Sequence, residues 1–217
     1  KGMDGVYPLF AGAAPEARRE RLLAHIKNPD EMWSAAGISA VDMTASYYFD
    51  DGYWNGNVWM SHQFFMWKTM FDLGETEFAF ELARRALDMW KEETDFSYNT
   101  YECFGIQTRR GGWFHNFGGL SAPINVWADC YYRPGTFTCG LDVWTDSQKL
   151  TDTSAEVHFR YTGDNGRYAF VLTLSDAHSY RLTLDGQELD YALRSDGCME
   201  ITLPGTVRSG VLKAEIK

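Results

Sequence analysis

The chain has 217 residues, of which 45% are hydrophobic and 16% aromatic, enough to build a core in one large domain or two small ones. Its formal net charge of −10 argues against nucleic acid or an anionic membrane as a partner, because neither attracts an acidic surface. No apolar run approaches the roughly 18 residues of a membrane span. The cysteines show no CxxC spacing, so neither a zinc site nor a disulfide framework is indicated. The cellular compartment stays open.

The first part of the chain predicts helices joined by long connections. A helix begins with proline and an acid at Pro15-Glu16 and ends near Ile26. Three more are predicted from about Gly56 to Leu73 with Gly74 as the stop, from Glu75 to Glu93, and from about Leu120 to Tyr131. Residues 94–119 are predicted to be a long loop rich in glycine and aromatic residues, and such loops are usually functional or disordered. The aromatic content argues against disorder.

The pattern changes at Arg133-Pro134-Gly135. Short alternating runs follow: VHFRY, YAFVLTL, YRLTLDG, MEITL and VLKAEI. Three turn signals, predicted to form hairpins, separate them: Asp164-Asn165-Gly166, Asp185-Gly186 and Asp196-Gly197. The sequence therefore predicts two domains, a helical region over residues 1–134 and an antiparallel β-sheet or small β-sandwich over residues 135–217.

The stretch from Tyr47 to Trp67 combines aromatic rings with amides and a histidine at the start of a predicted helix. Rings that stack and amides that donate hydrogen bonds suit a polar, ring-shaped ligand such as a sugar. A Trp-rich core helix preceded by an aromatic loop explains the same pattern equally well. Both interpretations stay open on the residues alone.

Glu102 is the strongest candidate for chemistry, because it lies within the aromatic loop, where partial desolvation suits a carboxylate to acid/base work. A surface carboxylate is the ordinary alternative. Asp50-Asp51 is more typical of a turn than of a second catalytic carboxylate. Arg109-Arg110 is more typical of a solvated pair in a loop than of an anion-binding site. No HxxxH, HExxH or GxSxG motif occurs, so no catalytic metal, cofactor or serine nucleophile is predicted.

Three segments resemble glycoside hydrolase family 63 and its (α/α)6-barrel relatives. The segment Tyr53-Trp54-Asn55-Gly56-Asn57-Val58-Trp59 is similar to the family's YWRGPIW, with asparagines in place of its Arg and Pro. Upstream, GVYPLFAG at residues 5–12 resembles G-F-x-P-L-x-A-G. Downstream, Tyr101-Glu102 followed by Phe117-Gly118 resembles the family's segment with a catalytic Glu. The NGxVW form also resembles glycogen-debranching glucosidases and neutral invertases, which share the barrel.

The resemblance implies the C-terminal segment of an (α/α)6 barrel followed by a small antiparallel β-sandwich domain. It implies that Glu102 is the general base that activates water for inversion. The general acid, an Asp, is expected upstream of this chain, in a missing N-terminal part of the same enzyme. The residues expected to contact the sugar are Tyr53, Trp54, Asn55, Gly56, Trp59, His62, Tyr101, Trp113, His115 and Phe117.

The leading hypothesis is therefore the C-terminal portion of an inverting exo-glycosidase that hydrolyses an α-linked sugar, with an oligosaccharide or glycoside as substrate. One alternative is a non-catalytic carbohydrate-binding or assembly fragment of such an enzyme. Another is a sugar phosphorylase on the same barrel, in which inorganic phosphate replaces the base and water, and in which Arg109-Arg110 would gain a role.

Overall fold

A computed structural model describes residues 1–195 and 197–217 and divides them into two compact units. The first unit comprises residues 1–67 and 80–125, and the second comprises residues 68–79 and 126–217. The predicted boundary at residue 134 is not tested by this division and stays a prediction. None of the helices in the described part of the chain has the length and apolar character that crossing a bilayer requires.

The helical part begins with a short 3-10 turn at Met3–Gly5. Its elements in chain order are α1 (Tyr7–Phe10), α2 (Glu16–Lys27), β1 (Trp33–Ser34), β2 (Gly37–Ile38), α3 (Met60–Asp72), α4 (Thr76–Ser97), β3 (Tyr101–Phe104), β4 (Gly111–His115), α5 (Gly118–Ser121) and α6 (Pro123–Tyr132). The four predicted helices are thus confirmed as α2, α3, α4 and α6. Gly74 is confirmed as the stop after α3, because it adopts a left-handed φ of 68° that favours glycine.

Three predictions for this region were wrong. The second predicted helix begins at Met60 rather than Gly56, because Val58 pairs with Phe104 in a β-bridge and the residues around it cannot form helix. The predicted loop at residues 94–119 instead contains the antiparallel hairpin β3–β4, in which Tyr101 pairs with His115 and Phe104 with Gly111. Helix α4 also extends to Ser97, beyond the predicted end at Glu93.

The second unit contains two antiparallel sheets. Its strands are β5 (Thr136–Cys139), β6 (Val143–Thr151), β7 (Ser154–Tyr161), β8 (Arg167–Thr173), β9 (Tyr180–Leu184), β10 (Gln187–Glu188), β11 (Ala192–Ser195), β12 (Cys198–Pro204) and β13 (Ser209–Ile216). One sheet has the order β10-β9-β13-β7-β6 and the other β11-β12-β8-β5. Alternating apolar residues from both sheets form one hydrophobic cluster, with Val157, Phe159 and Leu212 from the first and Phe170, Leu172 and Ile201 from the second.

The fold is therefore mixed, with helices first and antiparallel sheets after them, as predicted. The (α/α)6 barrel and the β-sandwich are finer predictions that stay open at this point. The Asp185-Gly186 turn is confirmed, since it joins the paired strands β9 and β10 and both residues have positive φ. The hairpin predicted at Asp164-Asn165-Gly166 is wrong, because it joins β7 to β8, which lie in different sheets. The Asp196-Gly197 prediction falls on Asp196, which lies outside the described residues.

A buried carboxylate organises the start of the second unit. Asp72 accepts backbone hydrogen bonds from Leu141 and Asp142, both at 2.9 Å, and is 5% exposed. Burial raises the pKa of Asp72 to about 6, although these two bonds oppose the rise. Gly140 lies against the carboxylate so closely that a Cβ there would stand 1.9 Å from its Oδ1. Only glycine fits this approach.

Replacing this glycine should disrupt the carboxylate and its two bonds. We expect Gly140→Ala to lower the free energy of unfolding by about 2–4 kcal/mol, because it both overpacks the site and displaces a buried acceptor. Gly166→Ala is the matched control in the same unit, since a Cβ at Gly166 meets nothing within 4 Å. Urea denaturation of both variants checks this, and equal effects of the two substitutions would contradict it.

Candidate functional site

The site is built on a compact loop in the first unit, residues 47–59. Its turn is closed by hydrogen bonds from the Gly52 amide to the Phe49 carbonyl (2.8 Å) and from the Phe49 amide to the Asn55 carbonyl (3.0 Å). The Asn55 side chain donates to the Tyr47 carbonyl at 2.5 Å. Gly56 passes so close to the Phe49 carbonyl that a Cβ would stand 1.8 Å from its oxygen. Asn55 and Gly56, predicted to contact sugar, therefore hold the loop together.

Backbone pairing fixes this loop against the hairpin. Val58 and Phe104 exchange two hydrogen bonds, of 2.8 and 2.9 Å, as an isolated antiparallel bridge. Phe104 is the last residue of β3, which also carries Glu102. The pairing thereby brings Tyr53 of the loop to Glu102 of the strand, although 49 residues separate them.

The two carboxylate oxygens of Glu102 have different surroundings. The Tyr53 hydroxyl donates to Oε1 at 2.5 Å, whereas Oε2 is buried and has no hydrogen-bond partner among the described residues. The residue is 7% exposed. The bond to Glu102 is the main reason that the pKa of Tyr53 is raised to about 12, so this hydroxyl stays a donor at neutral pH. Oε2 therefore keeps a hydrogen-bond acceptor that no described residue uses.

Aromatic rings surround this pair. Trp54 and Trp59 stack in parallel, with centroids 4.0 Å apart and planes 5° apart. Tyr53 packs edge-on against Trp54 at 5.1 Å, Trp59 at 4.9 Å and Trp113 at 4.8 Å. The His62 ring lies 6.4 Å from both Trp54 and Trp59. The structure thus brings together five of the predicted binding residues and, through Tyr53, Glu102. Trp59 is buried, whereas Trp54 and Trp113 are largely exposed and offer ring faces to solvent.

A β-bulge turns Trp113 towards this cluster. In the hairpin Tyr101 pairs with His115 and Cys103 with Gly112, so Trp113 and Phe114 together lie opposite the single residue Glu102. Trp113 has a φ of 64°, a conformation that is costly for a bulky residue and that often marks functional sites.

Asn57 was not predicted as a site residue, yet it touches this bulge. It is 2% exposed. Its amide is satisfied when the oxygen accepts from the Trp113 indole at 3.3 Å and the nitrogen donates to the Asp50 carbonyl at 3.2 Å. Its place in the NGN segment between two tryptophans was the available sequence signal.

An ion pair between a buried glutamate and a half-exposed arginine anchors the start of β4. Glu93 is 2% exposed and accepts hydrogen bonds from Arg110 Nε at 2.6 Å and from the Gly111 amide at 2.8 Å. The Arg110 guanidinium also lies 3.8 Å from the centroid of the Phe96 ring. Arg109 pairs with Glu92 at 3.0 Å. Both arginines therefore hold the hairpin in place, and their charges are already matched by carboxylates.

Among the described residues, no ring contact or side-chain hydrogen bond joins three of the predicted residues to the cluster. Tyr101 packs across Gly111, where a Cβ would stand 2.1 Å from its ring. His115 lies opposite Tyr101 in the hairpin and is exposed. Phe117 precedes α5 and is 39% exposed. Their predicted contact with sugar stays a prediction.

Comparison with known proteins points to one family. A model of the mannosylglycerate hydrolase MGH1-like glycoside hydrolase domain matches residues 1–111. Crystal structures of GH63 mannosylglycerate hydrolase from Thermus thermophilus, in complex with Tris and with Tris and D-glycerate, are similar at 26% identity and a TM-score of 0.51. An uncharacterized conserved protein from the same organism matches at 24% identity and a TM-score of 0.52.

The matched region is a minor part of these proteins. Each of the three structures is matched over 59% of this chain and 30% of its own length. No curated protein matches the chain.

The environment of His62 makes the first unit sensitive to acid. Burial lowers the pKa of His62 to about 4, although the nearby Asp4 opposes this, so the ring is neutral at pH 7. In the unfolded chain the ring titrates near 6.5. Between pH 6.5 and 4 the unfolded state therefore binds more protons, and the contribution of His62 to stability falls as the pH falls.

We expect the stability difference between wild type and His62→Gln to shrink by up to about 3 kcal/mol when the pH is lowered from 7 to 4. Urea denaturation followed by tryptophan fluorescence at several pH values checks this. His178→Gln, which replaces an exposed histidine, is the control and should show no such trend. Parallel pH curves for wild type and His62→Gln would contradict the account.

Proposed function

The chain belongs to the family of mannosylglycerate hydrolase MGH1-like glycoside hydrolases, and we propose that it forms part of an inverting exo-glycosidase acting on an α-linked sugar, with Glu102 as the general base. In this proposal residues 1–134 form the C-terminal segment of an (α/α)6 barrel, and residues 135–217 form a small antiparallel β-sandwich domain. The general acid is supplied from outside this chain.

The observation that carries the proposal is the asymmetry of the Glu102 carboxylate. Tyr53 occupies Oε1 and leaves the buried Oε2 without a partner among the described residues. A water held at Oε2 would lose a proton to it while attacking the anomeric carbon. Inversion requires a carboxylic acid on the opposite side of the sugar, about 6.5–9.5 Å from the base, so that this water fits between them.

The aromatic cluster supports a sugar as the ligand. Trp54 and Trp113 present exposed ring faces beside Tyr53, and apolar faces of a sugar ring stack on such surfaces. In this proposal His62, which is neutral at pH 7 and lies 6.4 Å from both Trp54 and Trp59, hydrogen-bonds a sugar hydroxyl. The D-glycerate complex of the similar GH63 mannosylglycerate hydrolase makes mannosylglycerate the first substrate to assay.

The alternatives receive different support. A carbohydrate-binding fragment without turnover would use the same aromatic cluster, so only a measurement of hydrolysis separates it from the leading proposal. A phosphorylase would need a free anion site, whereas Arg109 and Arg110 are engaged by Glu92 and Glu93. The phosphorylase is therefore the less favoured alternative.

Glu102→Gln should abolish hydrolysis and preserve sugar binding, because the amide keeps the shape of the side chain but cannot take a proton. We expect kcat to fall by about 10²- to 10⁴-fold in the longer polypeptide that the proposal requires. Sugar binding, followed by tryptophan fluorescence, should change by less than about threefold. Glu20→Gln, which replaces an exposed carboxylate on α2, is the matched control.

Two outcomes would contradict the base assignment. One is full activity of Glu102→Gln. The other is initial release of the α-anomer, which would exclude inversion. If the enzyme inverts, ¹H NMR of the reaction on an α-linked substrate should show the β-anomer before mutarotation. Binding without turnover in the wild-type enzyme would favour the carbohydrate-binding alternative.

Tyr53→Phe tests the hydrogen bond that orients Glu102. Removing a donor to a carboxylate should lower kcat by roughly 10- to 100-fold, because the carboxylate loses the bond that orients it. Tyr98→Phe makes the same chemical change at a tyrosine that is 87% exposed, and should leave kcat unchanged. An unchanged kcat in Tyr53→Phe would contradict the orienting role.

A further inference from the structure

A second cluster of ionisable side chains lies in the first unit, with members that the proposed mechanism does not use. It consists of His25 in the last turn of α2, Glu31 in the following loop and Asp42 in the segment before residues 47–59. One ligand atom from each lies within 4.8 Å of the others. The Met43 amide donates to the Glu31 carbonyl at 2.7 Å, and this bond holds the two acidic segments together.

The two nitrogens of His25 have different partners. Nδ1 lies 2.6 Å from Glu31 Oε2, which is hydrogen-bonding distance. Nε2 is buried without a hydrogen-bond partner among the described residues, in a side chain that is 4% exposed. A carboxylate that accepts from Nδ1–H fixes the tautomer in which Nε2 carries a lone pair.

That lone pair faces another acceptor. Asp42 Oδ2 lies 3.8 Å from His25 Nε2, which is too far for a hydrogen bond. This separation suits two ligand atoms that each bind the same metal ion at about 2.1 Å. The other oxygen of Asp42, Oδ1, is held by the Thr44 amide at 2.9 Å and the Thr44 hydroxyl at 2.7 Å. Both facing atoms are thus oriented by partners on their far sides, as is usual for metal ligands.

We propose that His25 Nε2 and Asp42 Oδ2 bind a divalent transition-metal ion of the Zn²⁺ type, with Glu31 and Thr44 as the residues that orient them. Imidazole nitrogen and carboxylate oxygen are ligands that Zn²⁺ accepts, and water completes the coordination. The cation also offsets the charge of two carboxylates that meet beside His25, one of which, Asp42, is only 7% exposed.

A pocket of about 580 Å³ adjoins His25, which lines it together with Pro8 and Leu22. Arg18 and Arg21 line the same pocket and would repel an entering cation. Binding is therefore expected to equilibrate slowly, and the titrations below need long incubation.

The test uses Zn²⁺ and the full chain after treatment with a chelator. Equilibrium dialysis at pH 7.5 should show one Zn²⁺ bound per chain. Both His25→Gln and Asp42→Asn should weaken binding by more than about 100-fold, and Glu31→Gln by about 10- to 100-fold. His158→Gln is the matched control, because His158 Nε2 also lies beside a carboxylate, Glu156 at 3.1 Å, but is half exposed. It should bind Zn²⁺ as the wild type does.

A second measurement needs no variant and covers the case in which His25→Gln does not fold. In ¹⁵N NMR of the wild-type imidazoles, Zn²⁺ should shift the Nε2 resonance of His25 and leave Nδ1 protonated. If His25 only bridges the carboxylates as an imidazolium, Zn²⁺ will leave its resonances unchanged and no saturable site will be found. That result, or equal binding by wild type and Asp42→Asn, would overturn the proposal.

Discussion

The two hydrogen bonds between Val58 and Phe104 are the contact on which the candidate site depends. Each partner alone is an ordinary loop or strand residue, and neither carries chemistry. Their pairing keeps residues 56–59 out of α3 and lays the aromatic loop beside the strand that carries Glu102. Val58 and Phe104 are fully buried, and this burial protects their two hydrogen bonds from competition with water. Tyr53 reaches Glu102 as a consequence.

A second constraint acts from the other side of the hairpin. Glu93, near the end of α4, binds Arg110 and the Gly111 amide, so the first residue of β4 is fixed to a helix. Since Glu93 is buried and Arg110 is about half exposed, loss of the arginine would leave an uncompensated charge in the interior. The bulge at Trp113 lies two residues beyond this anchor. Its left-handed φ can persist because both ends of the strand are held, at Gly111 by Glu93 and at His115 by Tyr101.

Local signals in the sequence were sufficient for the helices and for several strands. Pro15, the apolar spacing in α4 and the left-handed Gly74 each act within a few residues of their own position, so they could be identified without tertiary information. The hairpin β3–β4 could not, because its second strand begins with two glycines and exposes its aromatic residues. The wrong hairpin prediction at Asp164-Asn165-Gly166 has a related cause. Turn residues indicate where a chain reverses, but packing of the hydrophobic core determines which strand pairs with which.

The candidate site follows the same division. Tyr53, Trp54 and Trp59 are close in sequence, and their grouping was foreseeable. Trp113 joins them only through a bulge, and Asn57 contacts it only because the loop folds back. Conversely, Asn55 and Gly56 belong to the same segment but serve the loop's own backbone. Neighbours in a motif can thus divide between the aromatic cluster and the support of the loop, and the sequence motif alone does not separate the two positions.

The asymmetry at Glu102 also limits which chemistry the site can perform. Tyr53 remains a donor at neutral pH and holds Oε1, so one oxygen alone is available to a water or a sugar. A carboxylate that forms a covalent bond to the anomeric carbon needs its free oxygen in contact with that carbon, and its partner carboxylate only about 5–5.5 Å away. A base that acts through water needs the free oxygen set back by the width of that water. Glu102 lies in β3, with Oε1 held by Tyr53 and Oε2 buried, so neither oxygen stands at the exposed end of a side chain. In the enzyme that we propose, a small water molecule would reach such a buried oxygen more readily than a sugar carbon would.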